Sequence, residues 1–239
     1  VETDDQVNDQ VPVGERVAET LRRRITEGHL RPGTQLRDVA LAAELGVARH
    51  TLRSALRLLE YEGLLTYQMH KGVIVKTLST VDVREIYRVR RTLELSAIEH
   101  SALVTEADLS RLDATVRAAE LALASEEWNR VGTASLRFHQ ALVALLGSNT
   151  FDQLFRGVLA QLRLAFAIMP DEQTWQSPWI SRDREICDLV CGGGRDSAKA
   201  LLWQYLDDSE RGVLDVVRRN GTEQQKPARR TPAGIRQEV

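Results

Sequence analysis

Apolar residues recur at Val13, Val17, Leu21 and Ile25, the stripe of one helical face, while the opposite side carries Arg22, Arg23 and Arg24. Glu27-Gly28 closes that helix, and Pro32-Gly33 forbids its continuation. A short second helix over 37–44 turns inward either Val39, Ala40 and Ala43 or Leu41 and Leu45. It ends at Gly46, which supplies the left-handed residue of a tight turn, and Val47 fills the angle that follows. A third helix over 49–62 aligns Leu52, Ala55, Leu56 and Leu59. Short helix, Leu-Gly-Val turn and longer helix form the signature of a helix-turn-helix. Gly63 stops the third helix, and LLTYQ and VIVKT then read as two strands around Met69-His70-Lys71-Gly72. A hairpin in that place is a wing, and Gly72 provides a positive φ at its tip.

Ser79, Thr80 and Asp82 cap a new helix, and helical periodicity then continues almost without interruption over 82–101, 106–124, 127–147, 150–168, 181–191 and 195–219. The breaks fall at Gly147-Ser148-Asn149, at a loop from Pro170 to Pro178, and at Gly192-Gly193-Gly194. Trp128, Trp175, Trp179 and Trp203 are expected as core or surface packing, with Trp175 and Trp179 in a Pro-bounded loop that could act as a lid. The fold class is therefore mostly α: an N-terminal winged helix-turn-helix with a small β-hairpin wing, then an all-α antiparallel helical bundle. Expected boundaries are a disordered N-terminus over 1–10, the winged domain over 11–78, the bundle over 79–220, and a disordered basic tail over 221–239.

Charge changes the picture by its distribution. The net charge is −2 over 239 residues, yet residues 11–78 hold eleven Lys/Arg against seven Asp/Glu. A basic segment on a mildly acidic body fits a phosphate-binding module joined to another function. The chain is 43% hydrophobic and 28% charged, and it has no apolar run of membrane-spanning length. Its acidic first residues lack the order of a signal peptide, so a cytoplasmic location at the nucleoid is expected. Cys187 and Cys191 form no disulfide framework and are expected to be packed thiols one helical turn apart. No nucleophile elbow, phosphate loop, paired-Cys metal site or His-Glu-x-x-His motif occurs, which argues against an enzyme.

The run from Gly14 to Leu64 resembles the DNA-binding head of GntR-family bacterial regulators through Pro32-Gly33, Leu36, Leu45-Gly46-Val47, Arg49, Arg53, Ala55-Leu56, Leu59 and Glu62-Gly63-Leu64. The rest resembles the FadR-type, FCD branch through the segment Tyr87–Glu94, Phe138-His139 with Leu142, and Gly147-Ser148-Asn149. A helix fits the major groove and meets base edges with its N-terminal residues, here Ala48, Arg49, His50 and Arg53. The guanidinium fork matches guanine O6 and N7, so Arg49 and Arg53 are the expected readers. Thr51, Arg37 and Lys71 are expected on phosphates. By resemblance His70, beside Gly72 at the wing tip, reaches the minor groove. Ala48 stands where a small hydroxyl residue is usual and His50 where Thr is common, which should change the operator sequence without abolishing binding.

The same resemblance implies a metal held by one Asp and three His. The positions that match are Ser135, His139, Asp183 and Tyr205, so only His139 of that set remains. One imidazole, one carboxylate, a hydroxyl and a phenol make a poor cage. No metal and no other cofactor is therefore expected, and these four side chains instead suit direct hydrogen bonding to an organic effector. Arg90 either pairs with Glu94, one turn on, or takes the carboxylate of an anionic effector. The implied partners are double-stranded operator DNA with an inverted repeat, a second copy of the chain in a homodimer, and a small-molecule effector. The implied activity is a repressor controlled by that effector; the alternative is a regulator whose bundle only dimerises.

Overall fold

The computed structural model describes residues 12–169 and 171–224. The head comprises α1 (Val13–Thr26), α2 (Asp38–Glu44), α3 (Arg49–Tyr61), β1 (Leu65–Gln68) and β2 (Gly72–Val75). The body comprises α4 (Thr80–His100), α5 (Glu106–Ala124), α6 (Trp128–Ala144), α7 (Asn149–Phe166), α8 (Glu172–Cys191) and α9 (Arg195–Gln224). The expected disorder over 1–10 and 225–239 lies outside the described residues. Gly221, by contrast, continues α9 and does not begin a tail.

In the head, α1 buries Val17, Ala18, Leu21 and Ile25 against Leu52, Ala55, Leu56 and Leu59 of α3. Arg22 of α1 clamps Glu62 at the end of α3 with Nε to Oε2 at 2.8 Å and Nη2 to Oε1 at 2.5 Å. Of the two inward sets offered for α2, Leu41 with Leu45 is realised; Leu41 and Ala42 are buried and Val39 is exposed. Gly46 has φ +64°, the left-handed turn that separates α2 from α3. The wing is antiparallel, with Leu65 opposite Val75 and Gln68 opposite Gly72. Residues 33–36 brace its outer edge through Leu36 N–H to the Val73 carbonyl and Val75 N–H to the Thr34 carbonyl, each 2.9 Å.

Two reciprocal capping boxes start the body. Ser79 and Asp82 cap α4, and Thr105 and Asp108 cap α5, each pair exchanging side-chain and backbone bonds. Helix α4 packs on α9, α7 and α6, while α5 covers α6 and α8. One apolar core runs through head and body, from Val17 to Val217. The junction is polar as well. Helix α7 donates from Gln161 Nε2 to the Glu62 carbonyl and from Arg163 Nε to the Thr26 carbonyl, both at 2.8 Å. Thus α7 satisfies carbonyls at the C-terminal ends of α3 and α1. Gly63 is needed here twice over: its φ is +73°, and a Cβ would lie 2.8 Å from Gln161 Nε2. The connection from wing to body is packed also, with Leu78 buried and Lys76 Nζ 2.6 Å from Asp82.

The expected loop before residue 181 is corrected. Apart from Pro170, which is outside the described residues, the segment is helix from Glu172 onward, with Pro178 inside it. Trp175 and Trp179 are therefore packed helical residues and not a lid. A proline inside a helix costs about 3 kcal/mol, and aromatic burial opposes that cost. Trp179 packs tilted against Tyr205 at a centroid distance of 4.8 Å, and the Trp175 indole occupies the space above Gly212. A Cβ at Gly212 would lie 2.3 Å from that ring. Gly212→Ala is accordingly expected to destabilise the chain by about 1–3 kcal/mol, the usual range for overpacking. Thermal unfolding checks this, and an unchanged Tm would contradict the packing described.

Candidate DNA interface and buried polar centre

The N-terminus of α3 carries no side-chain cap, because Ala48 occupies the N-cap. Its first N–H groups are left for an external acceptor, the arrangement that favours a phosphate. Ala48, Arg49, His50 and Arg53 are exposed and Thr51 is half-buried. Arg49, His50, Arg53, Ser54 and Arg57 line an open depression of about 520 Å³. Arg57 was missed by sequence reasoning, although the four-residue spacing of Arg49, Arg53 and Arg57 on one helix face was available to find it. Arg53 Nε lies 3.1 Å from Asp38 Oδ2, an exposed pair that contributes about 0–1 kcal/mol and yields readily to a stronger acceptor. Arg37, His70 and Lys71 are all exposed. His70 holds φ +67° and Gly72 φ +75°, and the Lys71 carbonyl accepts from Gln35 Nε2 at 2.5 Å, so the wing tip is fixed through its backbone.

Inside the body, Arg90, Ser135, His139, Asp183 and Tyr205 converge from α4, α6, α8 and α9, all buried. Glu94 of α4 joins them and was not among the expected site residues. Arg90 Nε donates to Glu94 Oε1 at 2.7 Å, and His139 Nδ1 lies 2.7 Å from Glu94 Oε2. Burial pushes the Glu94 carboxyl up, but Arg90 and His139 outweigh it and hold it below its ordinary value. The ionised Glu94 therefore accepts from Nδ1–H, and Nε2 lies 3.0 Å from the Tyr205 hydroxyl. Ser135 Oγ donates to Asp183 Oδ2 at 2.6 Å. Asp183 Oδ1 stands 3.5 Å from His139 Nε2, within ion-pair but not hydrogen-bond reach. Oδ1 and Arg90 Nη2 both remain without a hydrogen-bond partner.

This donor set does not fit the metal cage that the FCD resemblance implies. Its single imidazole already engages a carboxylate and a phenol, and burial holds the Tyr205 hydroxyl well above its ordinary pKa, hence neutral. Among the described residues, no group of three or more His, Cys, Asp or Glu is placed to hold a metal ion. The thiols elsewhere on α8 are 4.0 Å apart, with Cys187 buried and Cys191 exposed. Among the described residues, no helix is long and apolar enough to cross a membrane.

The family model described as bacterial regulatory proteins, gntR family, matches residues 13–75, and that of the FCD domain matches residues 85–208. The chain belongs to the gntR family of bacterial regulatory proteins. It is thus a DNA-binding transcriptional regulator with an FCD domain, and not an enzyme. Among its gntR-family relatives, the Nta operon transcriptional regulator of Aminobacter aminovorans is 27% identical over 202 residues, 82% of this chain and 91% of that one. The HTH-type transcriptional repressor RspR of Escherichia coli K12 is 26% identical over 221 residues, 90% and 95% of the two chains. A crystal structure of a GntR transcriptional regulator from Rhodococcus sp. RHA1 superposes with a TM-score of 0.80 at 35% identity, covering 84% of this chain and 97% of that one.

The centre carries a pH dependence. Burial, against the pull of His139 and Ser135, pushes the Asp183 carboxyl up to about 6. The folded chain then holds this proton more tightly than the unfolded chain. The stability due to Asp183 is full below about pH 4 and is lost as pH rises through about 6. Asp183→Asn removes that loss, so the stability difference between variant and parent should rise by up to roughly 3 kcal/mol from pH 4 to pH 7. Thermal unfolding across that interval measures it, and a difference independent of pH would refute the account.

Proposed function

We propose that the chain is a repressor that binds an inverted-repeat operator as a homodimer, and that a small organic metabolite bearing an anionic group controls it from the buried centre. The observation that carries this reading is the pairing of an exposed arginine face on α3 with a buried polar centre whose Arg90 Nη2 and Asp183 Oδ1 lack hydrogen-bond partners. In the head, Arg49 and Arg53 read base edges while Ala48 and His50 shape the half-site. Thr51, Arg37 and Lys71 hold phosphates, and His70 enters the minor groove beside Gly72. In the body, Arg90, Ser135, His139, Asp183 and Tyr205 bind the effector directly, without a metal. The chain acts at the nucleoid in the cytoplasm.

A dimer supplies two heads spaced for half-sites about 34 Å apart, one DNA turn. Effector control requires that the ligand favour one placement of the heads over another. The Gln161 and Arg163 bonds from α7 to the ends of α3 and α1 give that preference a route. The repressor sign is supported by the relative named RspR, a transcriptional repressor.

Gel-shift titration tests the head. Arg49→Ala should lose operator discrimination by about 1–3 kcal/mol, the worth of one bidentate base contact. Lys71→Ala should weaken all sequences alike and reduce the salt slope by about one. Unchanged discrimination in Arg49→Ala would sink the assignment. For the body, metal analysis of the purified protein should find zinc and nickel far below one per chain, and a full complement of either would overturn the metal-free reading.

A further inference from the structure

Six buried side-chain polar atoms have no hydrogen-bond partner among the described residues, and three of them sit on α8: Trp175 Nε1, Gln176 Nε2 and Asp183 Oδ1. A fourth, Arg90 Nη2, faces the same centre from α4. Gln176 and Asp183 are seven residues apart, hence on one face of α8 and about 10 Å apart along it. Both meet α6: a Cβ on Gly132 would lie 2.4 Å from Gln176 Nε2, and Ser135 bonds Asp183. Leaving such atoms unpaired in a protein interior is costly, so a ligand that pairs them gains by contact alone.

The two atoms at the centre, Arg90 Nη2 and Asp183 Oδ1, define what that ligand must offer. Arg90 Nη2 is a donor and wants an acceptor. Asp183 Oδ1 is an acceptor and wants a donor. Charge decides further. The centre holds the Arg90 guanidinium and the His139 imidazole against two carboxylates, Glu94 and Asp183, all buried. A plain carboxylate satisfies Arg90 but brings a third negative charge beside Asp183, and a dicarboxylate brings a fourth. An ammonium group on the same molecule removes that repulsion and pairs the orphaned oxygen.

We propose that the effector is an amino carboxylate, its carboxylate on Arg90 Nη2 and its ammonium on Asp183 Oδ1. This rests on the reading of the body as an effector site and narrows the ligand from anions in general to zwitterions.

The test is titration calorimetry on the full chain at pH 7.5. The probes are the proteinogenic L-amino acids, a parallel set of mono- and dicarboxylates and sugar acids, and the des-amino and α-hydroxy analogue of every amino acid that binds. At least one amino acid should bind, and its des-amino analogue should bind at least tenfold more weakly. Asp183→Asn, its fold verified by circular dichroism, should shrink that ratio to less than threefold. The analogue series on the unaltered protein decides the matter even where the variant fails to fold. A des-amino analogue that binds as tightly as its amino acid overturns the proposal. So does binding confined to the carboxylates and sugar acids, although the effector reading would then stand. Binding by neither set overturns both, leaving a body that only dimerises.

Discussion

Glu94 is the group on which the body's interior turns. A carboxylate wholly removed from water is costly unless its charge is matched at close range, and here Arg90 and His139 match it at 2.7 Å each. That clamp fixes one edge of the Arg90 guanidinium and leaves the other free. It also holds the His139 ring by its Nδ1–H, which turns Nε2 toward the Tyr205 hydroxyl. Trp179 then packs tilted against the Tyr205 ring, and Arg182 lies over both rings at 5.2–5.4 Å. Four helices are thus tied to one side chain. Such an ion pair gives little net stability compared with apolar packing; what it provides is a fixed orientation for groups that a ligand can meet.

The same clamp explains why the centre accommodates the loss of metal ligands. With an Asp and two further imidazoles at the matching positions, a cation would balance the carboxylates. With Ser135, Asp183 and Tyr205 there, the balance falls to Arg90 and His139. Burial leaves the Asp183 carboxyl holding its proton up to about pH 6. The pH behaviour and the proposed ligand preference both turn on that carboxyl.

The head was legible because its signals are local. The stripe through Val17, Leu21 and Ile25, the turn at Gly46 and the hairpin around Gly72 are each set by neighbours within one or two turns. In the body, helix periodicity located most elements, but α8 was cut short because Pro178 was weighed as a terminator. The compensation, Trp175 over Gly212, joins residues 37 positions apart and has no local trace. The resemblance named Ser135, His139, Asp183 and Tyr205, and the fold brings them within hydrogen-bond or ion-pair reach of one another. Glu94 escaped because an acid one turn after an arginine on a helix has the same spacing whether the pair faces water or the core. Only burial distinguishes the two. Arg57 escaped for a simpler reason: weight was given to the N-terminal end of α3, while the depression extends a turn further.

The contacts of Gln161 and Arg163 bear on how such proteins recombine. A reading head is often regarded as a cassette, exchangeable at the strand-to-helix connection. Here the body supplies the terminal hydrogen bonds of two head helices, and the glycine at the end of α3 is shaped to a body side chain. A head grafted onto a foreign body without partners for the Thr26 and Glu62 carbonyls would keep its sequence preference but lose its mechanical connection. In a chimera, the true seam is the face of α7 and not the peptide link that follows the wing.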